Sequence, residues 1–378
     1  MMRTDNTTNG KREPNIENLK VMSMFMIVVW HFYVHGLSIG HIEILGNPTY
    51  IFNFTISQLV IVICSVCVNL FVLITGFFLL GKSFKTIRFV KVWFLTVFYS
   101  VIIDFSLYLT STDFNIASNI WTDIMPISND TYWFVKQYLR LIIIAPLLSF
   151  CLSRLSKTTH HLIMALIITI ALILTIKHPF GGTRYLTGHS ITCFIMLFYT
   201  GGYIRIYGMP YKWKKNIKIF WFLVVLTWLF TLSVMFYKHI YLKESLHNTL
   251  YEYNTFPYFL SVVLFVYIKN CNFKQTKFLY NLYTIAPFTF AVYLIHDNNN
   301  IRSLIWEKLY SWDTLYNSIL LTPTAIFVSC IIFAICISID YVRNKMFKIL
   351  QIDRLLYTFS DIIDSILIKI WNKLPKAF

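Results

Sequence analysis

Charge is scarce in this chain: 13% of its 378 residues are Asp, Glu, Lys or Arg, and only 17 residues are acidic. Soluble domains carry about a quarter charged residues, so a water-soluble fold is excluded. There is no glycine-rich phosphate loop. No set of His, Cys, Asp and Glu has the spacing of a zinc site, so no metal is expected. The seven cysteines are odd in number and lie mostly inside apolar runs, which reads as free buried thiols and not as a disulfide framework. Cys64-Ser-Val-Cys67 has redox spacing, but no histidine or charge beside it would activate a thiol, and packing is the expected role. Low-complexity tracts, internal repeats and a linker to a second soluble domain are all missing. The first apolar run has no small-residue cleavage site, so it reads as a retained span and not a secretory signal.

Hydrocarbon is abundant, with 57% hydrophobic residues and a mean hydropathy of +0.61. Runs of about twenty apolar residues can each cross a ~30 Å hydrocarbon core. They predict spans over 18–36, 57–80, 88–109, 132–153, 160–177, 189–207, 217–237, 252–269, 279–297 and 315–342. The expected fold is therefore all-α, a polytopic membrane protein of about ten transmembrane helices.

The net charge of +16 is dispersed in short clusters between spans, which excludes a nucleic-acid partner and makes membrane lipid the main surroundings. Clusters such as Lys82/Lys85/Arg88/Lys91 and Arg154/Lys157 recur on alternate connections, whereas segments 37–56 and 110–131 contain no Lys or Arg. The positive-inside rule then places both termini in the cytoplasm. From 344 onward Ile352, Leu355, Phe359, Ile363, Ile366 and Ile370 repeat at helical spacing, with charges on other faces. This is an amphipathic helix, lying either on the inner leaflet or on the bundle's own cytoplasmic face. The expected organisation is a polar leader (1–14), a transmembrane domain (15–343) and a cytoplasmic amphipathic tail (344–378).

Within the first span stand Lys20 and His31. Eleven residues at 100° each end about 20° past three full turns, so the two share a face, roughly 16 Å apart along the axis. A lysine inside a span costs ~2.5–3.5 kcal/mol on insertion scales, and such groups face a bundle interior or a wet cavity. An imidazole titrates near neutrality and can take a proton from an alcohol.

The stretch Asn15-Ile-Glu-Asn-Leu-Lys20 through Val29-Trp30-His31-Phe32 resembles the first span of the acyltransferase-3 membrane proteins, whose signature is an arginine, ten residues and a histidine. Lysine stands here in place of that arginine. Val68-Asn69 through Thr75-Gly76-Phe77, the basic run Lys85–Lys91, Tyr132-Trp133-Phe134 through Ala145-Pro146, Tyr199–Arg205 and Val292–Asp297 are similar to further family stretches, in the family's order. The resemblance runs from residue 15 to about 306. It is nearest the branch that O-acylates bacterial surface or exported polysaccharides.

That resemblance implies an acyl-coenzyme A donor, most often acetyl-CoA, on the cytoplasmic side of a bacterial plasma membrane. The acceptor would be a polysaccharide or lipid-linked glycan, in the setting of a polysaccharide-synthesis complex. His31 becomes the catalytic base or acyl carrier. Lys20, Arg88 and Lys91 become donor ligands, although snorkelling and topology also account for them. His35, Asp104, Trp133, Lys136, Arg140 and His296 become acceptor or cavity residues, and Asp297 a partner for Arg302. Asp104 reads equally as half of a structural pair, and Trp133 as an aromatic-belt residue. A transporter of a lipid-linked or polymeric glycan, without acyl transfer, is the competing reading.

Overall fold

The computed structural model describes residues 13–37, 47–79, 82, 85–110, 124–125, 131–177, 189–209, 216–241, 255–273 and 276–373. The polar leader falls almost wholly outside them. Every regular element among the described residues is helical. In chain order these are α1 (Pro14–His35), α2 (Pro48–Cys64), α3 (Cys67–Leu79), α4 (Thr86–Thr110), α5 (Trp133–Ser153), α6 (Lys157–Lys177) and α7 (Ile191–Tyr207). Then follow α8 (Ile217–Tyr241), α9 (Thr255–Asn270), α10 (Lys277–Ile285), α11 (Thr289–His296), α12 (Asn299–Ser303), α13 (Leu321–Ile349) and α14 (Ile352–Lys373).

Six helical stretches among the described residues are long and apolar enough to cross a membrane: 48–79, 86–110, 133–153, 217–241, 277–296 and 321–349. The protein is an all-α polytopic membrane protein. Helix α1 is not among the six. Asn15, Glu17, Asn18, Lys20, His31 and His35 dilute its apolar character, and protein surrounds it in place of lipid. Helices α2, α3, α9, α10, α11 and α13 pack around it, and Ile16, Val28, Phe32 and Tyr33 are completely buried. Pro14 begins the helix, where its missing N–H has no partner to lose.

Two expected spans are interrupted. The second begins at Pro48, capped by the Asn47 side chain, and bends between Cys64 and Cys67. There the Ser65 hydroxyl donates to the Val62 carbonyl at 2.7 Å, competing with the helical backbone pattern. Both flanking thiols are buried and free. The ninth breaks at Ala286–Phe288 because Pro287 cannot donate to the helix ladder.

The tightest crossing joins α3 and α7. A Cβ on Gly76 would meet the Phe198 carbonyl oxygen at 2.0 Å, and one on Gly201 the Leu73 carbonyl oxygen at 2.2 Å. Only glycine lets these backbones touch.

Helix α13 continues past residue 343 to Ile349, and the helical run is interrupted at Gln351, whose φ is 53°. Helix α14 then lies antiparallel along α4. Lys91 Nζ pairs with Asp353 Oδ1 at 2.8 Å, and Thr86 bonds Asp364. Leu355, Phe359 and Ile362 on α14 stay exposed. Asp340, absent from the sequence-based site, is buried in α13 and held by the Tyr99 hydroxyl at 2.6 Å and Arg343 Nε at 2.8 Å. A buried carboxylate needs such partners.

Candidate active site

His31 stands one turn before the end of α1 and borders a cavity of about 300 Å³. The α1 lining of that cavity runs from Ile27 to His35; α3 supplies Asn69, α5 supplies Trp133, α12 supplies Arg302, and the loops supply His189 and Asp297. The bend at Ser65 matters here, because Ser65, Cys67 and Asn69 enter the lining directly after it.

Behind His31 lies His296, the last residue of α11 and completely buried. Its Nδ1 is 2.5 Å from the Val292 carbonyl oxygen, and its Nε2 is 2.9 Å from His31 Nδ1. A carbonyl only accepts, so His296 carries its proton on Nδ1. Neutral His296 then offers Nε2 as an acceptor, and His31 Nδ1–H donates to it. His31 Nε2 is left with its lone pair. The arrangement fixes one tautomer of one imidazole, as a general base requires.

Asp297 and Arg302 complete the charge balance. Asp297 Oδ1 is 3.6 Å from His31 Nδ1 and 3.5 Å from Arg302 Nη1. A proton arriving on His31 would meet this carboxylate. Arg302 also donates to Asn299 Oδ1 at 2.9 Å. The segment after α11 is braced from two sides. Asn300 Nδ2 donates to Asp104 Oδ1 at 3.1 Å, while Tyr132 donates to the Leu294 carbonyl at 2.9 Å and accepts from Asn298 Nδ2 at 3.0 Å.

The expected site residues thus divide. His31, His35 and Trp133 border the cavity, with the His31 and His35 ring centroids 4.9 Å apart. His296 does not border it, contrary to the expectation of a lining residue, because its ring is spent on Val292 and His31. Asp104 lies one layer out as the brace of Asn300. Arg140 is exposed and reaches Gln137 at 3.5 Å, and neither it nor Lys136 is in the lining. At the far end of α1, Lys20 Nζ pairs with Glu17 at 2.8 Å. Between Lys20 and His31 on the same face stand Met24 and Ile27, 2% and 7% exposed. Arg88 sits in the first turn of α4, and Lys91, besides pairing with Asp353, lies 4.5 Å from the Tyr357 ring centroid.

Sequence reasoning missed His189, whose ring lies against Trp133 with centroids 4.0 Å apart. Nothing local marks it. It also left Asn69 and Tyr132 without roles, although both stand inside the quoted family stretches.

His31, His35 and Asp297 each bring one possible ligand atom within 4.8 Å of the others. A cation there would share the Asp297 carboxylate with the Arg302 guanidinium, already 3.5 Å from Oδ1. The donor set therefore suits proton handling better than metal binding.

A tautomer-fixed histidine beside a cavity inside a helical membrane bundle has the form of a general base. The family model described as an acyltransferase domain matches residues 13–343, and the chain belongs to the acyltransferase-3 family of membrane acyltransferases. No curated protein and no solved structure matches it.

Proposed function

We propose that this acyltransferase moves an acyl group, acetyl being the simplest, from coenzyme A to a hydroxyl of a cell-surface or exported polysaccharide. The basic loops face the cytoplasm of a bacterial cell, where the donor arrives, and the His31 cavity receives the glycan. The observation that carries this reading is the relay Val292 carbonyl–His296–His31, which leaves Nε2 as the basic nitrogen of His31 beside a cavity with an aromatic wall.

His31 Nε2 takes the proton of the sugar hydroxyl as its oxygen attacks the thioester carbonyl carbon. The C–O bond forms, the C–S bond breaks, and the imidazolium gives its proton to the departing thiolate. Asp297 stabilises the imidazolium between these events, as a nearby opposite charge does. Trp133 and His189, their rings tilted against each other, offer a surface on which a sugar face can lie. Lys20 and Arg88 attract the anionic donor at the other end.

The test compares ester content and polymer yield of the surface glycan in wild-type cells, a deletion and His31→Ala, by alkaline release and NMR. Transfer requires that esters vanish in both mutants while polymer yield is kept. If the deletion leaves esters unchanged and export falls, the protein is a transporter and the proposal fails.

A further inference from the structure

Helix α3 borders the cavity at its start, with Cys67 and Asn69, and its last turn carries Phe77, about 12 Å beyond Asn69, among cations. The Arg205 guanidinium from α7 caps this end, with Nη1 donating to the Phe77 and Phe78 carbonyls at 3.0 and 3.1 Å. Gly76 and Gly201 bring it there. Gly201 and Arg205 share one face of α7, so the glycine crossing delivers the next turn's arginine to the last turn of α3. Its Cζ is 6.0 Å from the Phe77 ring centroid, and Lys269 Nζ from α9 is 4.3 Å from the same ring.

Lys82 follows directly, its backbone N–H bonded to the Leu79 carbonyl at 3.0 Å. Arg205, Arg88 and Lys85 all lie within its electrostatic reach. Partial burial first, and these three charges next, hold the Lys82 ammonium below the usual lysine value. Among the described residues no carboxylate pairs with Lys82, Lys85 or Arg205. Lys82, Lys85 and Arg205, gathered with no carboxylate paired to them among the described residues, repel one another, and a multivalent anion relieves that cost. Lys91 differs, since Asp353 and the Tyr357 ring already occupy it.

We propose that Arg205, Lys82, Lys85 and Arg88 form a phosphate-binding site at the basic end of α3 that holds the phosphorylated nucleotide end of the donor, while Lys91 instead anchors α14. The assignment to the donor rests on the transferase reading above. The shared chemistry is a multiply charged phosphate, which an anionic lipid headgroup also offers. Arginine matches phosphate oxygens with two parallel donors, and lysines add point charge.

The experiment uses the full chain in nanodiscs of zwitterionic lipid. Isothermal titration measures coenzyme A, its form lacking the ribose 3′-phosphate, and inorganic pyrophosphate. The variants are Lys82→Gln with Lys85→Gln, Arg205→Lys and Lys91→Gln. Among the described residues neither lysine donates a side-chain hydrogen bond, so that double variant breaks no described contact even if Arg205 variants lose the α3 cap.

The double variant is expected to weaken coenzyme A binding roughly tenfold or more, with Lys91→Gln unchanged and the 3′-dephospho form weaker on wild type. Unchanged affinity in the double variant overturns the site. Pyrophosphate binding that depends on the lysines, with no coenzyme A binding to wild type, keeps the phosphate site but sinks the transferase reading. If phosphatidylglycerol in the nanodisc abolishes pyrophosphate binding while coenzyme A affinity ignores the lysines, the cations serve lipid and the proposal falls.

Discussion

The two ends of α3 are built on opposite terms. Near Asn69 the polar groups are tied together: His31 to His296, His296 to Val292, Asp297 to Arg302, and Asn300 to Asp104. Near Phe77 no carboxylate among the described residues pairs with the cations Lys82, Lys85 and Arg205. Bond making needs reacting groups held in place before substrate arrives, and interlocked hydrogen bonds supply that. Capturing a charged, flexible ligand needs a field more than a fixed geometry. One helix thus links a rigid end to an attractive one.

That contrast fixes where substitutions should act. His31→Ala removes the base and should lower acyl transfer about 10³-fold, within the range for general bases. Donor affinity should stay within about twofold, since the phosphates are held elsewhere; a large rise in donor Kd would merge the two ends into one site. His296 acts through His31. His296→Gln, which keeps an acceptor for His31 Nδ1–H, should lower kcat about tenfold, and His296→Phe about a further tenfold. Donor KM should not move in either, and the pH profile of kcat should shift more in the phenylalanine variant. Equal losses in both would mean that His296 only fills space.

Salt separates the ends without mutation. Raising ionic strength from about 0.05 to 0.5 M shortens the screening length and should raise donor KM several-fold with kcat nearly constant. The smallest effect belongs to α14. The Lys91–Asp353 pair is half-exposed, at 40% and 54% of the two side chains, so Asp353→Asn should lower Tm by no more than about 2 °C and leave donor KM unchanged.

The helices were legible because apolar run length is a local property. Each of the ten expected segments overlaps helix among the described residues, although 57–80 and 279–297 are interrupted. Pro287 announces its own break; the bend at Cys64–Cys67 does not, since it depends on a serine hydroxyl choosing a backbone carbonyl. The shared face of Lys20 and His31 follows from helix geometry alone. Much of the site could not be read that way. His31 and His296 are 265 residues apart, and Trp133 meets His189 across a connection, so neither pairing leaves a periodic trace. Arg205 stands in a recognised stretch, but its role depends on the glycine crossing that carries it to α3. The tail could be read as amphipathic, whereas its partner α4 could not.

The account stands most directly on a single-turnover assay with the purified full chain. Radiolabelled acetyl-CoA and an oligosaccharide acceptor are mixed with wild-type or His31→Ala protein matched for coenzyme A binding, and ester on the sugar is counted. The expected result is stoichiometric ester with wild type and a rate about 10³-fold lower with the variant. Equal rates in the two proteins would show that the acyl group reaches the sugar without this imidazole, and would contradict the mechanism.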